Sequence, residues 1–123
     1  MKYLIMIWHN PKSRAIWESF SDAERAEGWR AYAELNENLI ASGEMVISEA
    51  LADPSQGRRV PAAEGQSLAT DGPFPEAKEQ LAGFYLVDCE SYERAMEIGA
   101  MVPESALGLV EVRPVLAMNG PDM

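Results

Sequence analysis

Residues 3–8 and 84–87 are apolar on both faces of a strand, and this constrains the chain more than any other feature. Within Tyr3-Leu4-Ile5-Met6-Ile7-Trp8, alternation puts Tyr3, Ile5 and Ile7 on one face and Leu4, Met6 and Trp8 on the other. Phe84-Tyr85-Leu86-Val87 repeats the pattern. Successive strand side chains point to opposite sides of a sheet, so a strand apolar on both sides is buried on both. Any sheet built on these strands needs a cover above and below.

The surrounding elements limit what that cover can be. Ser21 with Glu24 three residues on forms a capping box, which predicts a helix over 22–42. Trp29, Tyr32, Leu35 and Leu39 recur at helical spacing, with Ala26 and Ile40 beside them, and Gly43 sits where helices end. His9 through Phe20 reads as a connection with a turn at Asn10-Pro11. A second strand runs from Met45 to about Leu51, followed by a turn cluster at Asp53-Pro54-Ser55-Gln56-Gly57. Arg58-Arg59-Val60 and Ser67-Leu68-Ala69-Thr70 read as a small hairpin, and 82–88 as a strong strand. Ser91 caps a second helix, with Tyr92, Ala95, Met96 and Gly99 on one face, and Pro103 ends it. Leu109-Val110-Glu111-Val112-Arg113 alternates as a half-exposed strand does, and Asn119-Gly120-Pro121 is a tail.

With the hairpin set aside, the order is β-α-β-β-α-β. The expected fold is therefore α+β, ferredoxin-like, with an inserted small hairpin, in a single domain over 1–118 and a flexible tail over 119–123. Two helices cover one face of such a sheet. The other is covered most simply by a second copy of the chain, giving a two-fold dimer with sheets packed face to face. Alternatively, Trp8 and its neighbours lie beneath the 9–20 connection.

Charge and cysteine content narrow the partners. The 123 residues carry 20 acids against 10 bases, a net charge of −10, which repels a phosphate backbone and argues against direct nucleic-acid binding. No apolar run approaches the roughly 18 residues of a membrane span. The opening residues lack the basic region and cleavage site of a signal peptide. A single cysteine, Cys89, allows no internal disulfide and suits a reducing cytoplasm. It has no adjacent base to lower its pKa and reads as structural. With no Cys or His cluster, no metal site is expected, and no cofactor motif is present.

The densest run of special residues is Asp71-Gly72-Pro73-Phe74-Pro75-Glu76-Ala77-Lys78-Glu79-Gln80. Asp71 is either a turn cap or a carboxylate base at a pocket mouth, and Phe74 is either a core plug or part of that pocket. Lys78 and Glu79 are either a solvated pair or a site for a small polar or anionic molecule, with Lys78 as the point charge. His9, the only histidine, ends strand one, where side chains enter a cleft or lie on a loop. Arg113 reads as an inward charge able to meet Glu79, Asp71 or a ligand carboxylate. Trp17 and Phe20 either line a pocket or fasten the long connection, the second being the ordinary use of bulky aromatics in such a segment.

The stretch Asp71-Gly72-Pro73-Phe74-Pro75-Glu76-Ala77-Lys78-Glu79-Gln80-Leu81-Ala82-Gly83-Phe84-Tyr85 resembles the signature of the DGPF branch of the YCII-related family. Met1-Lys2-Tyr3-Leu4-Ile5-Met6-Ile7 is similar to its opening strand. Ser21-Asp22-Ala23-Glu24 with Trp29-Arg30-Ala31-Tyr32 is similar to its first helix, and Val110-Glu111-Val112-Arg113-Pro114 to its closing strand. The resemblance covers nearly the whole chain and implies a ferredoxin-like fold paired into a dimeric α/β barrel, with no general reaction attached. In the broader family a histidine on the first helix and an aspartate near the second have been proposed as a catalytic pair. This chain departs from that pattern: 22–42 holds no histidine, and the second helix runs out in Met101-Val102-Pro103-Glu104. The resemblance also implies association of the branch with sigma factors. That leaves two readings: a homodimer binding a small molecule near Asp71 with acid/base capacity, or a non-catalytic module that binds a protein such as a sigma factor through acids including Glu34 and Glu37.

Overall fold

A computed structural model describes residues 1–63 and 79–117. Four antiparallel strands form one sheet: β1 (Lys2–His9), β2 (Met45–Ala50), β3 (Gln80–Asp88) and β4 (Val110–Pro114), in the order β2-β3-β1-β4. β1 and β3, the two strands apolar on both faces, are the two central ones. β1 pairs with β3 through Tyr3 opposite Val87 and Ile5 opposite Tyr85, and with β4 through Ile5 opposite Val112. These residues share the helix-covered face, where Tyr3, Ile5, Tyr85 and Val87 join Leu35, Leu39, Ala95, Ile98 and Val102 in one core. Each large apolar side chain buried there contributes about 1.5–3 kcal/mol. The opposite face pairs Leu4 with Leu86 and Met6 with Phe84, and β2 adds Ile47 beside Leu86. In the single chain Leu4, Trp8, Phe84 and Leu86 are only half-buried, and Ile47 is exposed.

Capping sets the helices. α2 (Asp22–Ser42) begins as its sequence dictates: Ser21 Oγ accepts from the Glu24 amide and the Glu24 carboxylate accepts from the Ser21 amide. It ends at Gly43, whose φ of 80° lies in the left-handed region that glycine enters without strain. Leu35 and Leu39 are its buried anchors. Trp29 and Ile40, expected on the same buried stripe, are instead 63% and 66% exposed. The buried line of this 21-residue helix runs through Leu35 and Leu39, and Ile40 is turned off it. α3 (Tyr92–Ala100) is capped by Ser91 and buries Ala95, Ile98 and Gly99, while Met96 faces out.

The 9–20 connection is not irregular. Asn10 caps a helix, α1 (Pro11–Ser19), by accepting from the Ser13 amide while Ser13 Oγ takes the Asn10 amide. Pro11, read from sequence as a turn residue, occupies the first helical turn, where its missing N–H costs nothing. Trp17 fastens α1 to α2: it meets Trp29 edge-on at 5.4 Å, lies 5.9 Å from Phe20, and carries Arg25 over its ring. Of the expected hairpin, only the first half falls among the described residues. There Arg58 makes a single β-bridge and 59–60 have no regular structure. Pro103 ends α3 by opening a 3-10 helix of its own, Pro103–Leu107. No described helix is long and apolar enough to cross a membrane.

Candidate functional site

The C-terminal end of β1 is where the chain gathers its polar chemistry. Val102, fully buried, anchors the start of the 3-10 helix. Ser105 ties that helix back to α3 through the Ala100 carbonyl at 2.9 Å. Gly108, at φ 71°, reverses the chain into β4. The Trp8 amide donates to the Leu109 carbonyl at 2.8 Å, which pins this corner against the end of β1. The second residue of the 3-10 helix, Glu104, is thereby set beside His9, its neighbour across 95 positions of sequence.

His9 Nε2 lies 3.4 Å from Glu104 Oε2, and the Tyr32 hydroxyl donates to Glu104 Oε1. Tyr32 sits one turn before Leu35 on α2, so the buried stripe of that helix aims it inward. One turn later, Asn36 Oδ1 accepts from the Tyr85 hydroxyl of β3 at 2.6 Å. The side-chain exposures are 42% for His9 and 19% for Glu104, so the imidazole meets solvent while its carboxylate lies behind it.

The electrostatics follow from this layering. Burial acts to raise the Glu104 carboxyl, but hydrogen bonds from His9 and Tyr32 outweigh it and hold the group below its ordinary range. Glu104 is therefore an ionised acceptor. Burial first, then the hydrogen bond to Glu104 and its charge, push the Tyr32 hydroxyl well above its ordinary value, so it stays a donor. Tyr85 is raised by burial, opposed by a bond from Ser48 and reinforced by the Glu104 charge. An imidazole backed by an ionised carboxylate can take a proton and be stabilised as imidazolium.

The residues singled out from sequence are distributed unevenly. His9 is in the cluster. Glu79 lines a neighbouring cleft of about 330 Å3 together with Trp8, Gly108, Val110 and Glu111. Arg113 does not point into the core: opposite Leu4 in the β1–β4 register, it is 69% exposed, with the Glu111 carboxylate at 3.9 Å. The inward positions of β4 belong to Val110 and Val112, so alternation turns Arg113 to the other face. Asp71, Phe74 and Lys78 lie outside the described residues. Cys89 is buried and its thiol, raised by burial, donates to the Ser91 carbonyl at 3.4 Å. Among the described residues no three His, Cys, Asp or Glu side chains gather as a metal site would require. Glu104, Tyr32 and Asn36 were not among the residues singled out. The local signals were an acid directly after Pro103 and a tyrosine on the buried stripe, and neither reveals a partner distant in sequence.

Known proteins resemble this chain in sequence and in fold. An uncharacterized protein of Rhizobium meliloti is 27% identical over 117 residues, covering 94% of this chain and 92% of its own. Among solved structures, the 5-chloro-2-hydroxyhydroquinone dehydrochlorinase of Burkholderia phenoliruptrix, in complex with 2,5-dihydroxybenzoquinone, aligns over 94% of each chain. It does so with a TM-score of 0.53 and 16% identity, a likeness of fold. The model of the YCII-related domain matches residues 1–119, so the chain belongs to the YCII-related family.

Proposed function

We propose that this protein binds a small, weakly acidic molecule at the end of β1 and moves a proton to or from it, with His9 as the acid/base and Glu104 as its carboxylate partner. The observation that carries this reading is the placement of a solvent-facing imidazole against a carboxylate held ionised behind it. The departure from the family's proposed pair supports it as well. The expected histidine is missing from 22–42, yet a histidine and a carboxylate meet here from β1 and the turn after α3. The ligand bound by the dehydrochlorinase, a dihydroxyquinone, belongs to the class of weakly acidic hydroxyl compounds that such a pair would serve. Asp71 remains a candidate second acid/base, with Lys78, Glu79 and Phe74 as candidate ligand contacts. Arg113, exposed beside Glu111 and not inward, stays a candidate ligand contact from the outer face of β4.

The same reading includes a homodimer in which the half-buried face around Leu4, Trp8, Phe84 and Leu86 packs on its copy. Titration calorimetry with 2,5-dihydroxybenzoquinone and a panel of simple phenols and hydroxybenzoates tests the binding. Saturable binding is expected for at least one, lost in His9→Ala and Glu104→Ala proteins whose spectra remain folded. Any turnover found should fall about 100-fold or more in His9→Ala. No binding across the panel, or binding indifferent to both substitutions, overturns the reading. Native mass spectrometry tests the pairing, and a monomer at micromolar concentration overturns it.

A further inference from the structure

We propose that Tyr32 is the positioning residue of this site: by occupying one oxygen of Glu104 it commits the other to His9 Nε2, fixing the imidazole as the Nε2–H tautomer and leaving Nδ1 as the proton-accepting atom. The functional consequence rests on the acid/base reading above; the tautomer itself does not. Donor and acceptor counting sets the tautomer. An ionised carboxylate only accepts. Glu104 Oε1 takes the Tyr32 hydroxyl and Oε2 faces His9 Nε2 at 3.4 Å, a contact that is a hydrogen bond only when Nε2 carries the hydrogen. Neutral imidazole has one protonated nitrogen, and the lone pair then resides on Nδ1.

Tyr32 is fixed for this role by its element rather than by chance contact. It shares an inward face of α2 with Leu35, Asn36 and Leu39, and Asn36 is locked in turn by the Tyr85 hydroxyl at 2.6 Å. Without the Tyr32 bond the Glu104 carboxylate could rotate, and its hold on the ring would weaken. With it, a proton leaving the O–H of a bound acid passes to Nδ1. The electron pair stays on the ligand oxygen, and the resulting imidazolium lies between ligand anion and Glu104.

Nitrogen-15 spectroscopy of the labelled intact protein, at a pH where the imidazole is neutral, reads the tautomer directly. The expected wild-type pattern is a protonated Nε2 and a bare Nδ1. In Glu104→Ala both shifts should move toward the mixed pattern of free imidazole. In Tyr32→Phe they should move part of the way, and the titration midpoint of the Glu104 carboxyl carbon should rise, with the amide spectrum otherwise preserved. A merely structural Tyr32 would move neither. If Tyr32→Phe fails to fold, a slowly exchanging Tyr32 hydroxyl proton in the wild type, lost in Glu104→Ala, supports the same bond. An Nδ1–H pattern in the wild type overturns the proposal. So do a Tyr32→Phe protein that leaves both readings unchanged and, where that variant fails to fold, a Tyr32 hydroxyl that exchanges rapidly. Absence of ligand binding would count against the function reading alone, since these spectra need no ligand.

Discussion

Two glutamates at different corners of this molecule are each held by two partners, and the kind of partner sets what each carboxylate can do. Glu44, between α2 and β2, receives Arg94 Nε and Nη2 of α3, both at 2.9 Å, and the Ser42 hydroxyl at 2.8 Å. Glu104 receives Tyr32 and His9. Both carboxyls are held below their ordinary range, Glu44 by its Arg94 hydrogen bonds above all, Glu104 by bonds that overcome its burial. Arginine stays charged at any working pH, and its planar fork grips both oxygens of a carboxylate, so the Glu44 corner is a fixed clamp. Tyr32 stays a donor, but imidazole, unlike guanidinium, gains and loses a proton in the physiological range, so the Glu104 corner has a partner able to change state and the Glu44 corner has none.

Breaking each corner in turn sharpens the contrast. Arg94→Ala leaves Glu44 poorly solvated at 15% exposure and should cost about 2 kcal/mol by urea denaturation, less than a fully buried pair because the site keeps some water. Tyr32→Phe removes a hydrogen bond to a charged group and should cost about 1.5 kcal/mol. His9→Ala should cost under about 1 kcal/mol, because the ring is 42% exposed and its pair with Glu104 is long. A larger stability loss from His9→Ala than from Arg94→Ala would invert the comparison. The pH dependence gives the smallest effect. Carboxyls whose folded pKa is depressed stabilise the protein fully above their unfolded value, 4.5 for glutamate, and lose that contribution as pH falls through the folded value. Stability of the wild type should therefore fall below about pH 4.5. Glu44→Gln should flatten part of that acid limb, and Arg94→Ala should flatten a similar part. An unchanged acid limb in Glu44→Gln would remove the clamp from the account.

The clamp is no more visible in sequence than the dyad, yet the elements around both are. Ser21 with Glu24, Ser91, Gly43 and the two-faced runs at 3–8 and 84–87 act within a few residues of themselves. Caps, φ preferences and alternation are local rules, which is why the strand and helix order was readable. α1 was missed because Asn10-Pro11 serves a turn and a helix start equally well; the Ser13 side chain completing the capping box is what decided it. Helical spacing marks a stripe but not what each position of the stripe meets: Trp29 packs edge-on to Trp17 of α1 and stays 63% exposed. Arg113 failed differently: its strand was found, but which face of β4 looks inward depends on register against β1.

The α+β class, the two-faced character of β1 and β3, and the start and end of α2 are legible in the residues alone, because caps, φ preferences and alternation act between near neighbours in the chain. That His9, Tyr32 and Glu104 meet is a product of the folded chain. Their separation in sequence is bridged by a Trp8–Leu109 hydrogen bond, a glycine turn at Gly108 and the burial of Val102. Which polar side chains share a corner is set by how buried surfaces dock, and docking leaves no periodic signal in the residues it brings together.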